Sequence, residues 1–253
     1  MKYKNIDVTD QQARYYKERD KLNIALPSVA VDTLIFAQED DKLYLLLEKN
    51  DKLQLSLVGS FIKINKTLKE SAIEILNEKT GLNVEQYKFI NGHIYDSPNR
   101  DPRGHIITLS NYVFIEKTDV PNHEWFEVTY DQRDKVVKIK KENEDRSIYI
   151  TDEYVEEFGL TLLYKDYQGH GTMIYDAVKQ LNDTLYTKGL IFNVYTKGYT
   201  LTQAWRLTQN FKKSLFSRTG HRRLFEKFST PTQRYKNENG QQARIFELKG
   251  DVE

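Results

Sequence analysis

The stretch Gly59–Leu82 constrains this chain most, because it holds both ends of a helix and its buried stripe within two dozen residues. Thr67 and Glu70 stand in the T-x-x-E spacing of a capping box, in which each side chain satisfies a backbone N–H of the other residue. Leu68, Ala72, Ile75 and Leu76 follow at helical spacing, and Gly81 supplies the left-handed stop. The spacing predicts a loop followed by a capped amphipathic helix over 68–80. Strand-rich segments flank it. Ser28–Phe36 and Lys42–Glu48 read as a hairpin around Gln38–Asp41, and Gln54–Val58 leads into the loop. Tyr87–Tyr95, Ile106–Ile115, Glu124–Tyr130, Val136–Lys140 and Ser147–Ile150 continue the β pattern. Strands around a capped helix predict an α+β sandwich.

This loop and helix resemble the Nudix box, a glycine, five residues, Glu, seven residues, then Arg-Glu-apolar-x-Glu-Glu-x-Gly-apolar. With the register set by Thr80-Gly81-Leu82, Ser60 replaces a glycine, Lys66 the first Glu, Glu74 the Arg, Ile75 the next Glu and Lys79 the last Glu. Glu78 alone is retained. In hydrolases of that family the carboxylates hold divalent ions, hard cations that need oxygen ligands. Two lysines in carboxylate positions are poor company for such an ion, so the expectation is a Nudix fold that is not an enzyme, with no metal and no cofactor. A shifted row, Glu70, Glu74 and Glu78, is the alternative. A solvated helix face is the commoner meaning of that spacing, and with it the rival function of an ADP-ribose hydrolase stays open.

Composition narrows the remaining classes. No cysteine is present, so disulfides and thiolate metal sites are excluded, and five scattered histidines form no zinc pattern. No apolar run approaches the roughly 18 residues of a membrane span, and the polar start carries no signal peptide, so a cytoplasmic protein without a membrane partner is expected. The net charge of +1 hides an asymmetry: residues 201–250 hold eleven Lys and Arg against three Glu. A basic C-terminal module on an acidic body is the footprint of nucleic-acid binding, with an acidic protein partner as the alternative.

Between two strands lies Asp96-Ser-Pro-Asn-Arg-Asp-Pro-Arg-Gly-His105, a stiff loop that presents Arg100 and Arg103. Paired guanidinium groups suit a phosphorylated ligand, whereas a plain surface turn would pair Arg100 with Asp101. In this position, beside a degraded box, Arg100-Asp-Pro-Arg-Gly104 is similar to the Nudix-related regulators of the NrtR family. That resemblance, which runs from about Ser28 to Leu248, implies a domain that senses ADP-ribose or a related metabolite. Phe61, Lys63, Arg100, Asp101 and Arg103 are its expected ligand contacts. It also implies a C-terminal winged helix that binds double-stranded operator DNA, working as a homodimer.

The expected layout is a sensing domain over 1–165, with residues 1–27 as an extension of no assigned function. A connector or dimerisation helix over 166–197 and a winged helix-turn-helix over 198–253 follow. Ile174, Val178, Leu181 and Leu185 give the connector its apolar stripe. In the last module Thr200 or Thr202 caps a first helix, a second spans 208–216, and a third, Arg218–Phe228, turns Leu224, Phe225 and Phe228 inward. Arg218, His221, Arg222, Arg223 and Lys227 are its expected DNA contacts. Beyond Pro231, Asn237-Glu-Asn-Gly240 marks a hairpin that carries Arg234, Lys236 and Arg244 toward phosphates.

Overall fold

The structure, a computed structural model, describes residues 2–3, 6–7, 9–21, 27–50, 52, 54–162, 168–211 and 218–249. A short strand pair, β1 (Lys2–Tyr3) and β2 (Ile6–Asp7), and helix α1 (Asp10–Lys21) precede the main sheet. The sheet begins with the hairpin β3 (Ser28–Glu39) and β4 (Lys42–Lys49), whose turn places Asp40 and Asp41 at positive φ. Such a turn matches the twist of the strands it joins. Then come β5 (Gln54–Ser56), β6 (Val58–Phe61), helix α2 (Leu68–Thr80), β7 (Phe89–Tyr95), β8 (Ile106–Phe114), β9 (His123–Asp131), β10 (Val136–Lys141) and β11 (Ser147–Ile150). Two strands that the sequence did not announce, β12 (Val155–Phe158) and β13 (Thr161–Leu162), complete it.

The strand order is β12-β11-β10-β9-β4-β3-β8-β7. Strand β3 runs parallel to β8 from Ser28↔Ile106 to Phe36↔Phe114. On its other side it changes partner: residues 35–39 pair with β4, and residues 30–33 pair with β6. At the end of β4, Glu48 and Lys49 pair with β5. The hairpin therefore splits, and the wedge between its arms faces the loop before β8.

Side chains alternate across the sheet, as the pleat requires. Ile35, Ala37 and Leu46 join Leu76 and Val84 on the α2 face. Leu34, Phe36, Leu43, Leu45 and Leu47 join Ile174, Val178 and Leu181 of helix α3 (His170–Asp183) on the other face. Each such buried Leu, Ile or Val contributes roughly 1.5–3 kcal/mol relative to exposure. The segment expected as a connector or dimerisation helix is thus the second helical layer of an α/β/α sandwich. Its apolar stripe is spent on the sheet, because Met173, Ile174, Ala177, Val178 and Leu181 are fully buried there.

Past α3 the chain turns through Gly189 (φ 60°) into a 3-10 helix, Leu190–Val194. A Cβ at Gly189 would lie 2.5 Å from the Phe228 ring, so a larger residue is excluded by space as well as by conformation. Helix α4 (Leu201–Thr208), α5 (Arg218–Phe228) and the hairpin β14 (Ser229–Glu238) with β15 (Gln241–Leu248) follow. Thr200 caps α4, with Gln203 completing the box. Of the helix expected over 208–216, Thr208 closes α4, Gln209–Phe211 form a turn, and 212–217 lie outside the described residues. Phe192 anchors this part: its ring stacks on Tyr199 (5.4 Å) and Phe228 (5.6 Å) and meets Phe225 edge-on at 5.0 Å. These aromatics belong to the same continuous core as α3 and the sheet.

Helix α2 spans the residues its sequence signals marked. Thr67 accepts from the Glu70 N–H, Glu70 accepts from Thr67, and Gly81 adopts φ 70°. Thr67→Ala removes one half of this box and should cost about 0.5–2 kcal/mol of stability. Urea denaturation checks this, with Thr67→Ser, which keeps the hydroxyl, expected near the parent.

Candidate functional site

The wedge where the β3–β4 hairpin splits is a cavity of about 260 Å³. Asp32 of β3, Glu48 of β4, Ser56 of β5, Leu57 and the β6 residues Gly59, Ser60 and Phe61 line its sheet side. The Arg100–Arg103 loop, Thr108 of β8, Lys79 of α2 and His170 at the start of α3 close it. Its inner end is enclosed: His170, Asp32, Ser56 and Thr108 are all buried, whereas Phe61 at the mouth is 41% exposed.

The two loop arginines have different tasks. Arg100 donates from Nε to the Gln168 carbonyl (2.8 Å) and from Nη1 to Thr108 Oγ1 (2.9 Å), so it ties the loop to β8 and to the segment before α3. Arg103 is gripped by Asp101, with Nε to Oδ1 at 2.9 Å and Nη2 to Oδ2 at 2.7 Å. Asp101 thus takes Arg103 and not the Arg100 of the plain-turn alternative, and the Arg103 N–H also donates to Asp101 Oδ1 and closes a local turn. The Arg103 guanidinium beside it holds the Asp101 carboxyl below the usual carboxylate range. Arg103 also lies over the Phe61 ring, 5.3 Å from its centroid. A half-exposed guanidinium, fixed by a buried carboxylate and backed by an aromatic face, thus stands at the mouth of the cavity.

Of the five expected ligand contacts, Phe61, Arg100, Asp101 and Arg103 converge on this cavity. Lys63 does not line it. Its Nζ turns to Glu78 instead, at 3.1 Å. Asp32, Glu48 and His170 also line the cavity, and no sequence signal marked them, since each is a lone polar residue in an ordinary strand or helix; Lys79, which stands for the last Glu of the box, lines it as well. Lys79 and Glu48 pair at 2.8 Å. His170 accepts the Leu57 N–H at Nδ1 (3.3 Å), and burial pushes its imidazole pKa down.

The box helix departs from a cation site in a specific way. Glu70 is occupied by its capping box, Glu74 pairs with Lys66 at 2.7 Å, and Glu78 pairs with Lys63. Both lysine contacts hold the glutamates in ion pairs, and the Lys66 bond draws the Glu74 pKa down. A divalent ion, which the resemblance attaches to this helix in the family's hydrolases, does not fit carboxylates paired in this manner. Among the described residues no group of three or more His, Cys, Asp or Glu side chains is placed to hold one.

In the C-terminal module Arg222, Arg223 and Lys227 lie exposed on α5, with Arg222 paired to Glu226 at 3.0 Å. Arg234, Lys236 and Arg244 lie exposed on the hairpin. Arg234 pairs with Glu247, and Arg244 packs on the Tyr235 ring at 5.5 Å. His221 leaves the expected set of contacts, because it is fully buried between Tyr186 and Phe225, with ring centroids at 5.6 and 5.5 Å. Leu224 is half-buried rather than inward. The Arg218 side chain lies outside the described residues. No helix among the described residues is long and apolar enough to cross a membrane.

No protein-family model matches the chain. An ADP-ribose pyrophosphatase from Methanocaldococcus jannaschii is 38% identical over 104 residues, which is 39% of this chain and 57% of that relative's length. Among solved structures, a MutT/nudix family protein from Enterococcus faecalis superposes with a TM-score of 0.75 at 19% identity, over 96% of this chain and 100% of that one. Shewanella oneidensis NrtR in complex with a 27mer DNA superposes with a TM-score of 0.63 at 16% identity, over 87% and 93%. The expectation that this chain is not an enzyme is overturned by the first of these, since a relative named as an enzyme shares more than a third of its residues over the match. The cavity itself is lined by carboxylates from outside the box helix, Asp32, Glu48 and Asp101. By its structural neighbours, the chain carries the Nudix fold.

Proposed function

We propose that this chain is a ligand-responsive transcriptional regulator. In this reading the cavity takes ADP-ribose or a related phosphorylated nucleotide or sugar metabolite, and its occupancy changes the affinity of the C-terminal module for operator DNA. The observation that carries the reading is the union of the two parts in one core. The Nudix-fold cavity and a module of helices, basic α5 surface and basic hairpin are packed through α3 and the Phe192 cluster. Support comes from the likeness, across most of both chains, to a protein solved in complex with a 27mer DNA.

The domain layout follows: a sensing sandwich, α3 as its second layer, and residues 198–253 as a winged helix-turn-helix. In such modules the helix preceding the hairpin enters the major groove and the hairpin holds phosphates. A homodimer reading two half-sites completes the proposal, since one module with few base contacts discriminates weakly. A second reading, turnover of ADP-ribose in the same cavity, is favoured by the likeness to the archaeal pyrophosphatase. Incubation of the protein with ADP-ribose and divalent cations, followed by product analysis, separates binding from turnover.

ADP-ribose should raise the melting temperature of the protein through linkage. Arg103→Ala should weaken its binding by about 1.5–3 kcal/mol, the loss typical of a charge-assisted hydrogen bond. Affinity for DNA without ligand should stay the same, because Arg103 lies at the cavity mouth. Calorimetry and DNA anisotropy on the same samples check both halves, and equal loss of both would mark the loop as structural.

On the DNA side, the two groups of cations should fail differently. Arg222→Ala or Arg223→Ala should cost about 1–3 kcal/mol on a selected operator and relax preference at one base pair. Lys236→Ala should weaken all sequences alike and reduce the slope of log K against log salt by about 0.9 for each phosphate no longer neutralised. Anisotropy on selected and random duplexes across a salt series reads both, and an unchanged operator-to-random ratio in both helix variants would misplace the reading helix.

A further inference from the structure

Strands β3 and β8 border two cavities, one on each face of the sheet. Alternation sends Asp32 and Thr108 to the first, and sends their neighbours Val31, Thr33, Leu109 and Asn111 to the face that α2 covers. There a second pocket of about 510 Å³ lies between the start of α2 and the edge strand β7. Its volume falls within the ~300–1,000 Å³ usual for ligand pockets. The edge strand is shaped to wall it. Asn91 faces Asn111 and Ile94 faces Leu109, so Gly92 and His93 together oppose Ser110 as a bulge. Without that extra residue, alternation would turn Ile94 to the α3 face, where Ile90 packs. Ser110 pins the bulge, since its hydroxyl accepts the His93 N–H (2.8 Å) and donates to the His93 carbonyl (3.2 Å). Gly92 is required beside it, because a Cβ there would lie 2.2 Å from Ser110 Oγ. The bulge thus sets Ile94, 63% exposed, on the pocket wall, and Leu68 of α2, 41% exposed, lines the same pocket.

Asn111 sets the chemistry of this pocket. It is 8% exposed, and Thr33 Oγ1 donates to its Oδ1 at 2.9 Å. A carboxamide has a donor half and an acceptor half, so either turn of the group leaves one half over from the bond to Thr33. Among the described residues that half meets no partner, and Asn111 lines the pocket. A purely apolar guest would bury it unpaired, which costs the desolvation of that group. A sugar would set its hydroxyls against the apolar side chains of Val31, Leu68, Ile94 and Leu109. A cation would find no carboxylate among the described lining residues, whereas Lys69 offers an anion a positive charge.

We propose that the pocket between α2 and β7 is a second ligand site, for a small flat nitrogen heterocycle that carries an anionic group. The C=O and N–H edge of the ring meets the Asn111 amide, its faces lie against Leu68 and Ile94, and its charge is met by Lys69. The site stands on the opposite face of the sheet from the first cavity and does not depend on what that cavity binds.

Calorimetric titration of the full chain with orotate, uracil and benzoate tests it. Orotate has both the ring edge and a carboxylate, uracil the edge alone, and benzoate the carboxylate alone. Orotate should bind saturably, about tenfold more tightly than benzoate, the worth of a hydrogen bond to a buried group. It should bind about threefold more tightly than uracil, as a solvent-exposed ion pair gives. Lys69→Gln should remove the second difference alone, and Asn111→Leu the first. Because Asn111→Leu also strands Thr33, thermal unfolding checks that it folds, and Ile94→Asp, at an exposed position, should abolish orotate binding by a separate route. No saturable binding of orotate, equal affinity of the parent for orotate and either control, or an orotate affinity unchanged in both Asn111→Leu and Ile94→Asp would overturn the site. Competition with ADP-ribose separates the two cavities. Orotate that stays bound under ADP-ribose supports a second site, and orotate displaced one for one would overturn it. Binding of orotate without any binding of ADP-ribose would sink the reading of the first cavity and leave this one intact.

Discussion

The exchange of partners along β3 is the constraint on which the remaining structure depends. A strand that pairs with β8 along one edge and is shared between β4 and β6 along the other cannot slip by one residue, since a slip would turn Ile35 and Ala37 away from α2 and Leu34 and Phe36 away from α3. The split also creates the cavity. Where β4 leaves β3 for β5, the strand edges diverge, and the polar residues Asp32, Glu48 and Ser56 occupy the gap instead of the apolar core. The absence of a side chain at Gly59 leaves the room that the Asp32 carboxylate occupies, since a Cβ there would lie 1.9 Å from its Oδ1.

Charge on the box helix follows the same logic of compensation. Lys63 and Lys66, in the loop before the helix, each reach a glutamate on it, and Lys79 reaches across to Glu48 at the cavity rim. The first two pairs are largely exposed, so water and salt screen them and they add little stability. Their effect is on potential: Glu74 and Glu78, one turn apart, would repel each other if unpaired and are instead held close to cations. The carboxylates that line the cavity, Asp32, Glu48 and Asp101, come from two strands and a loop and not from the helix.

Helix α2 was legible because its cap, stripe and stop are consecutive in sequence, and local chemistry fixed its ends at Leu68 and Thr80. The β3–β4 hairpin was legible for a similar reason, through Asp40 and Asp41 in the turn. The Arg100–Arg103 loop was visible as a site but not in its wiring. Which arginine Asp101 would take depends on a turn whose closure the sequence does not spell out. Helix α3 shows the opposite case, since periodicity gives an apolar stripe but not the surface that covers it. His170 and Asp32 were invisible, because they come from distant segments that meet only through the sheet. His221 looked like part of a basic run, yet helical spacing with Phe225 turns it inward while Arg222, Arg223 and Lys227 stay outside.

Two stiff elements begin at the cavity and end at the C-terminal module. Strand β3 carries Asp32 and terminates in the turn where Asp41 meets Arg206 at 3.3 Å and its carbonyl accepts from Asn210 Nδ2 at 2.7 Å. Helix α3 carries His170 and leads to the 3-10 helix that holds Phe192. The contacts at the far ends differ in strength. The aromatic cluster is closely packed and apolar, and separating it would expose several rings at roughly 1.5–3 kcal/mol each. The polar rim, formed by Asp41 with Arg206 and Glu116 with Thr196 and Lys197, is partly exposed, and solvent screening leaves its pairs much weaker than the buried rings. A ligand shifts such a module only by its differential affinity for two arrangements. Arrangements that keep the Phe192 cluster and exchange the rim differ by little, so modest binding energy suffices, whereas any that part the cluster lie out of reach of a compact ligand. In the proposed ligand response, the rim at Asp41 and Glu116 is therefore the weaker of the two contacts between the parts of the chain.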